Sequence, residues 1–375
     1  MKMYDYVPIL KLKKGEATAL NKLKEQQKSR LLPLFEVVFP GPKKDAKKAD
    51  KETKLASIID KFLNKKLPDF PDWLNEACGQ YPFILDFSLI YVDSAREKVM
   101  EYLLEQCHNN NQKLRLLINT SDTREYRDLV YSYLKKYNFG LSVRVLKTDL
   151  IDIVGLNKKL TDILEESGLK ESQIDLLVDI KEESDDENYT RYFEASQNID
   201  SIDQWRTFIF ANGAFPESMG GFKSGKEHDI PRTDWLRFNA AYSGENIKRK
   251  PIYSDYTTRY PIYDPESEKH SPTPAIKYAT DNNWYVMKGM GKDFGYYFAY
   301  SLALVSSARF CGVEHCEGDK MLQEKAEKAP KYFTKRVEKK GNKIAADGVG
   351  SSEDWISMSI SHHLVITLAQ LSSRL

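Results

Sequence analysis

The chain has 375 residues, 41% of them apolar, with 56 Lys+Arg against 55 Asp+Glu. A net charge of +1 excludes a wholly basic nucleic-acid binder and an acidic tail protein, and this apolar content excludes a disordered chain. No stretch approaches the ~18 consecutive apolar residues of a membrane span, the first six residues carry no signal-peptide pattern, and four cysteines do not make a disulfide framework, so a cytoplasmic location is expected.

Eight short runs rich in branched and aromatic residues read as strands. They begin at Tyr6, Leu31, Pro82, Lys113, Leu141, Ile174, Trp205 and Lys250. Start-to-start spacing runs from 25 residues (Tyr6 to Leu31) to 51 (Leu31 to Pro82), mostly enough for one strand and one crossover helix. Several runs are apolar throughout, as strands covered on both faces are. The pattern predicts a (β/α)8 TIM-like barrel over residues 1–310. Helix starts are expected at Ser94, Asp122 and Ser184, each followed three residues later by Glu. The acidic run 182–187 is then first-turn charge at a helix dipole.

Two segments depart from the repeating unit. Residues 39–51, rich in Pro, Gly and Lys, read as a mobile surface loop. Residues 256–293 form a lid: 275–280 and 284–288 read as a β-hairpin around Asp281-Asn282-Asn283, inserted between the eighth strand and a helix at 294–310. The remaining 311–375 form a C-terminal helical appendage. Its last helix, 353–372, is introduced by Ser351-Ser352-Glu353-Asp354.

Function in such a barrel gathers at the C-terminal strand ends. Those ends carry Lys11, Glu36, Asp86, Asn119, Lys147, Asp179, Lys181, Asn212 and Asp255. Two readings compete for Glu36, Asp86, Asp179 and Asp255. One is an acidic cluster for acid/base catalysis or Mg²⁺. The other is a ring of carboxylates paired with Lys11, Lys147 and Lys181 that closes the barrel. A glycosidase pair fits poorly, because Asn119 and Asn212 stand where common glycosidase barrels place acids.

The loop after the seventh strand, from Asn212-Gly213 through Gly220-Gly221-Phe222-Lys223-Ser224-Gly225-Lys226, suits an anion or is a solvated glycine loop. His228, Asp229 and Arg232 follow it. In the lid, Arg259, Lys277 and Lys288 interleave with Tyr256, Tyr260, Tyr278, Trp284 and Tyr285, a pattern for stacking on bases or for packing on the barrel. Cys311, His315 and Cys316 lack the second pair of a structural zinc motif, so no metal is assigned. His362 and His363 point about 100° apart on the last helix, one able to reach the mouth, the other on the surface.

Several short stretches resemble the beta protein family of phage and bacterial proteins. They are Pro8-Ile9-Leu10-Lys11, Lys14-Gly15-Glu16, Pro33-Leu34-Phe35-Glu36-Val37, Pro274-Ala275-Ile276-Lys277-Tyr278 with Trp284, Gly318-Asp319-Lys320, and Trp355 with Ser361-His362-His363. Lys277 stands where Arg is expected. The resemblance implies a phage or anti-phage context and brings no catalytic residues. Two functions follow as expectations. One is a hydrolase or transferase acting on a phosphate-bearing nucleotide or nucleic acid at the mouth. Glu36, Asp86, Asp179 and Asp255 would be catalytic there. Lys11, Asn119, Lys147, Asn212, Lys223, Arg259 and Lys277 would bind substrate. The other is a non-catalytic module that binds a phage or host protein.

Overall fold

A computed structural model describes residues 4–40, 48–244, 247–265, 273–291, 293–338 and 347–373. In chain order its strands are β1 (Tyr6–Lys11), β2 (Leu34–Glu36), β3 (Phe83–Asp86), β4 (Leu114–Asn119), β5 (Gly140–Leu146), β6 (Ile174–Glu182), β7 (Thr207–Gly213), β8 (Glu227–Pro231), β9 (Ile252–Asp255), β10 (Ala275–Ala279) and β11 (Asn283–Lys288). A closed barrel runs β1-β2-β3-β4-β5-β6-β7-β9, and every pair in it is parallel. The pairing of β9 with β1, Tyr6 opposite Tyr253, closes the cylinder. The predicted (β/α)8 barrel is therefore present. Register aligns the strand ends: Lys11 pairs with Glu36, Glu36 with Asp86, and Leu146 with Asp179.

One strand was not foreseen. β8 follows the glycine loop and pairs antiparallel with β11, giving a second sheet of order β10-β11-β8. Its residues Glu227-His228-Asp229-Ile230-Pro231 alternate between exposed and half-buried, so no apolar run announced it. The expected hairpin is β10 and β11. Its aromatic residues Tyr278, Trp284 and Tyr285 are buried, packed on their own molecule rather than offered to solvent.

Two of the three expected helix starts are off by a residue, and the one at Ser94 fails, since Ser94 lies inside its helix. Thr123 and Asp185, not Asp122 and Ser184, cap their helices, and the Asp93–Asn109 helix has no side-chain cap. The last helix, Ser352–Ser372, begins with Ser351 as its N-cap, which forms a reciprocal box with Asp354. Within the stretch read as a mobile loop, 41–47 lie outside the described residues and the Lys48–Lys61 helix begins at its end.

The Ser352–Ser372 helix is buried nearly all round. Ile360, Leu364 and Leu368 join the barrel core, while Trp355 and Met358 join the cluster under the hairpin. Gly15 permits this approach, since a Cβ there would stand 3.0 Å from Ile356. This explains both histidines. His362 and His363 are each fully buried, against the expectation that one is on the surface.

Candidate functional site

Near their C-terminal ends three barrel strands carry the same local device. Asp86, Asp179 and Asp255 each accept, on Oδ1, the N–H of the residue two positions on: Ser88 at 2.8 Å, Lys181 at 2.9 Å and Thr257 at 2.9 Å. A short carboxylate that closes its own turn ends β3 and β9, and in β6 it marks the register shift between Asp179 and Glu182. Lys181 and Thr257 are held in the left-handed region, with φ of 55° and 56°. The turn leaves Oδ2 for other groups, which are Arg144 at Asp86, and Arg144, Lys181 and Tyr256 at Asp179.

Those groups form a buried ion ring. Arg144 of β5 directs Nη1 to Asp86 Oδ2 at 2.6 Å, Nε to Asp179 Oδ2 at 3.3 Å and Nη2 to Glu36 Oε1 at 3.4 Å. Lys181 Nζ reaches Glu36 at 3.1 Å and Asp179 at 3.2 Å, and Lys11 pairs with Glu36. Tyr256 donates its hydroxyl to Asp179 at 2.6 Å. Three cations face three carboxylates, so the formal charge cancels. A buried ion costs several kcal/mol unless it is matched, and here each one is. Burial would raise the Glu36 carboxyl, but Lys11, Lys181 and Arg144 hold it well below the usual range. Lys11 is itself pushed down, because its burial outweighs Glu36.

Asp255 belongs to a separate cluster. Tyr253 donates to it at 2.9 Å, Tyr6 donates as well, and His363 Nε2 lies 2.8 Å away. Burial pushes the His363 imidazole down, so at neutral pH the ring is uncharged and Nε2–H donates to Asp255. The His363 ring stacks 6.4 Å from Trp284, and its Nδ1 is buried with no hydrogen-bond partner. Asp234 is pushed up by its burial and by the charge of Asp255.

The other expected residues take varied roles. Asn119 gives its backbone N–H to Asp122 at 2.7 Å, and Lys147 turns outward to the Glu182 carbonyl at 2.7 Å. Asn212 donates to the Lys181 carbonyl at 2.9 Å and keeps a buried, unpartnered Oδ1. Lys223 is exposed. Arg259 bonds Glu16 at 2.8 Å. Lys277 donates to the Thr258 carbonyl at 3.0 Å and lies 4.1 Å over the Phe215 ring. Burial, with Arg259 beside it, pushes the Lys277 ammonium down to about 7. Gly213 has a packing reason: a Cβ there would come within 2.9 Å of Tyr256 and 3.0 Å of Pro261.

The structure thus joins Lys11, Glu36, Asp86 and Asp179 in one ring and sets Asp255 apart. Lys147 and Lys223 stay outside both. Arg144, the centre of the ring, was missed, although a charged residue inside the apolar run Leu141–Leu146 was a visible anomaly. Tyr6, Tyr256 and Asp234 carried no such signal.

Fold and rim together define a closed parallel barrel whose mouth is filled by matched buried charge. Stretches that carry the resemblance contact one another: Lys11 meets Glu36 at the mouth, and under the hairpin Tyr278 meets Asp319 and Asp319 meets His362. The family model described as Beta protein matches residues 6–369, so the chain belongs to that family. No curated protein matches it. Among solved structures it is similar to the spore cortex-lytic enzyme SleL of Bacillus megaterium QM B1551, at 12% identity over 80% of this chain and 68% of that one, with a TM-score of 0.30. Among the described residues, no helix is long and apolar enough to cross a membrane.

Proposed function

We propose that this protein is a recognition module that binds a phage or host protein through the C-terminal face of its barrel, with the ion ring serving as architecture. The carrying observation is that Glu36, Asp86 and Asp179 are consumed by Lys11, Arg144 and Lys181. A carboxylate already matched and desolvated is a poor metal ligand and a poor general acid. Exposed apolar side chains lie on the segments that follow strand ends, two on loops, one on a 3-10 turn and one at a helix start. Tyr91, Ile151, Val154 and Ile262 are 47%, 74%, 81% and 54% exposed. Exposed apolar groups on a polar rim suit a protein partner. The phage–host setting is what the resemblance to the beta protein family implies.

The catalytic reading, a hydrolase or transferase on a phosphate-bearing substrate, draws on one further observation. His363 is oriented by Asp255, has a vacant Nδ1, and lies on the barrel side of a lid that also holds the depressed amine of Lys277. Mg²⁺ would have to displace a cation from the ring.

Phage-plating efficiency in cells that express the protein separates the two. Recognition expects Ile151→Asp with Val154→Asp to abolish the effect while His363→Gln keeps it. The catalytic reading expects the reverse. Circular dichroism confirms that each variant is folded.

A further inference from the structure

Away from the barrel mouth, three elements bring metal-ligating atoms together under the hairpin. Cys316 precedes the Glu317–Glu338 helix, Asp319 lies in its first turn, and His362 comes from the Ser352–Ser372 helix. Their ligand atoms lie within 4.8 Å of one another. Cys316 Sγ is 3.0 Å from Asp319 Oδ2, and His362 Nδ1 is 2.9 Å from the same oxygen. Asp319 and His362 are fully buried.

The hydrogen bonds around His362 orient it as a ligand. Its Nε2 lies 2.8 Å from the Ala279 carbonyl oxygen, which can only accept, so Nε2 carries the proton. Nδ1 faces Asp319 Oδ2 at 2.9 Å, a contact bridged either by a proton on Nδ1 or by a bound metal ion. A backbone carbonyl that fixes the tautomer is the arrangement that supports metal-bound histidines. Asp319 is likewise held from behind: Tyr278 donates to its Oδ1 at 2.7 Å.

Close approach is built into the chain. A Cβ on Gly318 would stand 2.8 Å from both the Met358 carbonyl and Ser361 Oγ, so glycine lets the two helices bring Cys316 and Asp319 onto His362. A groove of about 330 Å³, lined by His315, Cys316, Glu317, Lys320 and Ser361 among others, reaches the Cys316 side of the cluster. His315 stands beside it, its ring 5.2 Å from that of His362 and its buried Nε2 without a partner.

We infer that Cys316, Asp319 and His362 bind a divalent, borderline-soft metal ion such as Zn²⁺, with the fourth position turned towards His315 and the groove. A thiolate and a carboxylate supply two negative charges that a divalent ion cancels, and sulfur selects zinc over magnesium or calcium. On binding, the Cys316 thiol loses its proton to solvent and forms the metal–sulfur bond, with no redox change. The ion would pin β10, through Ala279, to both C-terminal helices.

The test uses full-length protein stripped with a chelator and titrated with Co²⁺, then Zn²⁺. The expected result is one ion per chain, with a cobalt–thiolate charge-transfer band that Zn²⁺ bleaches. Cys316→Ser should abolish the band, and Asp319→Asn should weaken binding ~100-fold or more, the upper end for loss of a supporting group. Cys311→Ser should keep both. Wild-type protein should melt lower in chelator, and Cys316→Ser should not respond. No bound ion in wild type, a band that survives Cys316→Ser, or a band lost only in Cys311→Ser would overturn the assignment.

Discussion

Arg144 Nη1 lies 2.6 Å from Asp86 Oδ2, a contact that ties β5 to β3 across the barrel, while the same guanidinium reaches Glu36 and Asp179. One side chain therefore links four of the eight barrel strands. It can do so because a guanidinium presents five donors in a fixed fork, and lysine cannot replace it.

Replacing Arg144 by Met should destabilise the fold by about 3–5 kcal/mol, the range for removing one partner of a buried ion pair. The loss arises from stranding Asp86 and weakening the match for Glu36 and Asp179. Urea unfolding followed by circular dichroism checks this. Arg144→Lys should recover only part of the loss. A change below ~1 kcal/mol would mean that the ring is not a structural keystone.

Glu36 sets the acid limb of stability. Its carboxyl is held below its ordinary value of 4.5 in the folded chain. A group depressed on folding contributes stability that is present above its unfolded pKa and is lost as pH falls through the folded one. The melting temperature of the wild type should thus fall as pH drops below about 4.5. Glu36→Gln should melt lower at neutral pH, because Lys11 and Lys181 lose their partner, and should fall less steeply in acid. Thermal melts between pH 3 and 7 decide it, and parallel curves would reject the assignment.

The barrel was legible because parallel strands buried on both faces write themselves as apolar runs, and their polar last residues mark one rim. Partners across that rim were less legible. Lys11 and Glu36 sit at strand ends and could be paired on paper. Arg144 lies mid-strand, where its reach to three acids depends on barrel closure. His363 comes from a helix 108 positions beyond Asp255, and nothing in either stretch announces the contact. β8 escaped because its strand is polar at the edge of a small sheet. The Cys316–Asp319–His362 convergence escaped for the same reason as His363: its third member lies 43 residues beyond the second.

Lys277 should give the same sign of pH dependence as Glu36, in an alkaline window, but as a charge that costs stability at neutral pH. Its ammonium is depressed to about 7 from 10.5. Above about pH 7 the folded lysine is neutral while the unfolded one still binds a proton, so the unfolded chain carries more protons and stability rises with pH up to about 10. Lys277→Met keeps the length of the stem and removes the charge. It should raise the melting temperature at pH 6–7 and flatten the slope between pH 7 and 10. A variant that melts lower than wild type at pH 6 would show that the Thr258 contact and the Phe215 ring outweigh the cost of burial.

The glycine loop offers a paired control on whether its glycines serve packing or a bound anion. At Gly213 an added methyl meets Tyr256 and Pro261, both held by the mouth, so Gly213→Ala should cost about 1–3 kcal/mol as overpacking does. At Gly221 nothing lies within 4 Å and no positive φ is required, so Gly221→Ala should be neutral or slightly stabilising through the unfolded chain. Because Tyr256 also donates to Asp179, the Gly213 variant should disturb the ion ring and show a steeper acid limb than wild type, whereas the Gly221 variant should track it. If instead Gly221→Ala lost phage-plating activity with its stability intact, the loop would be a ligand-facing backbone and the anion reading of its lysines would regain the ground that the packing of Gly213 takes from it.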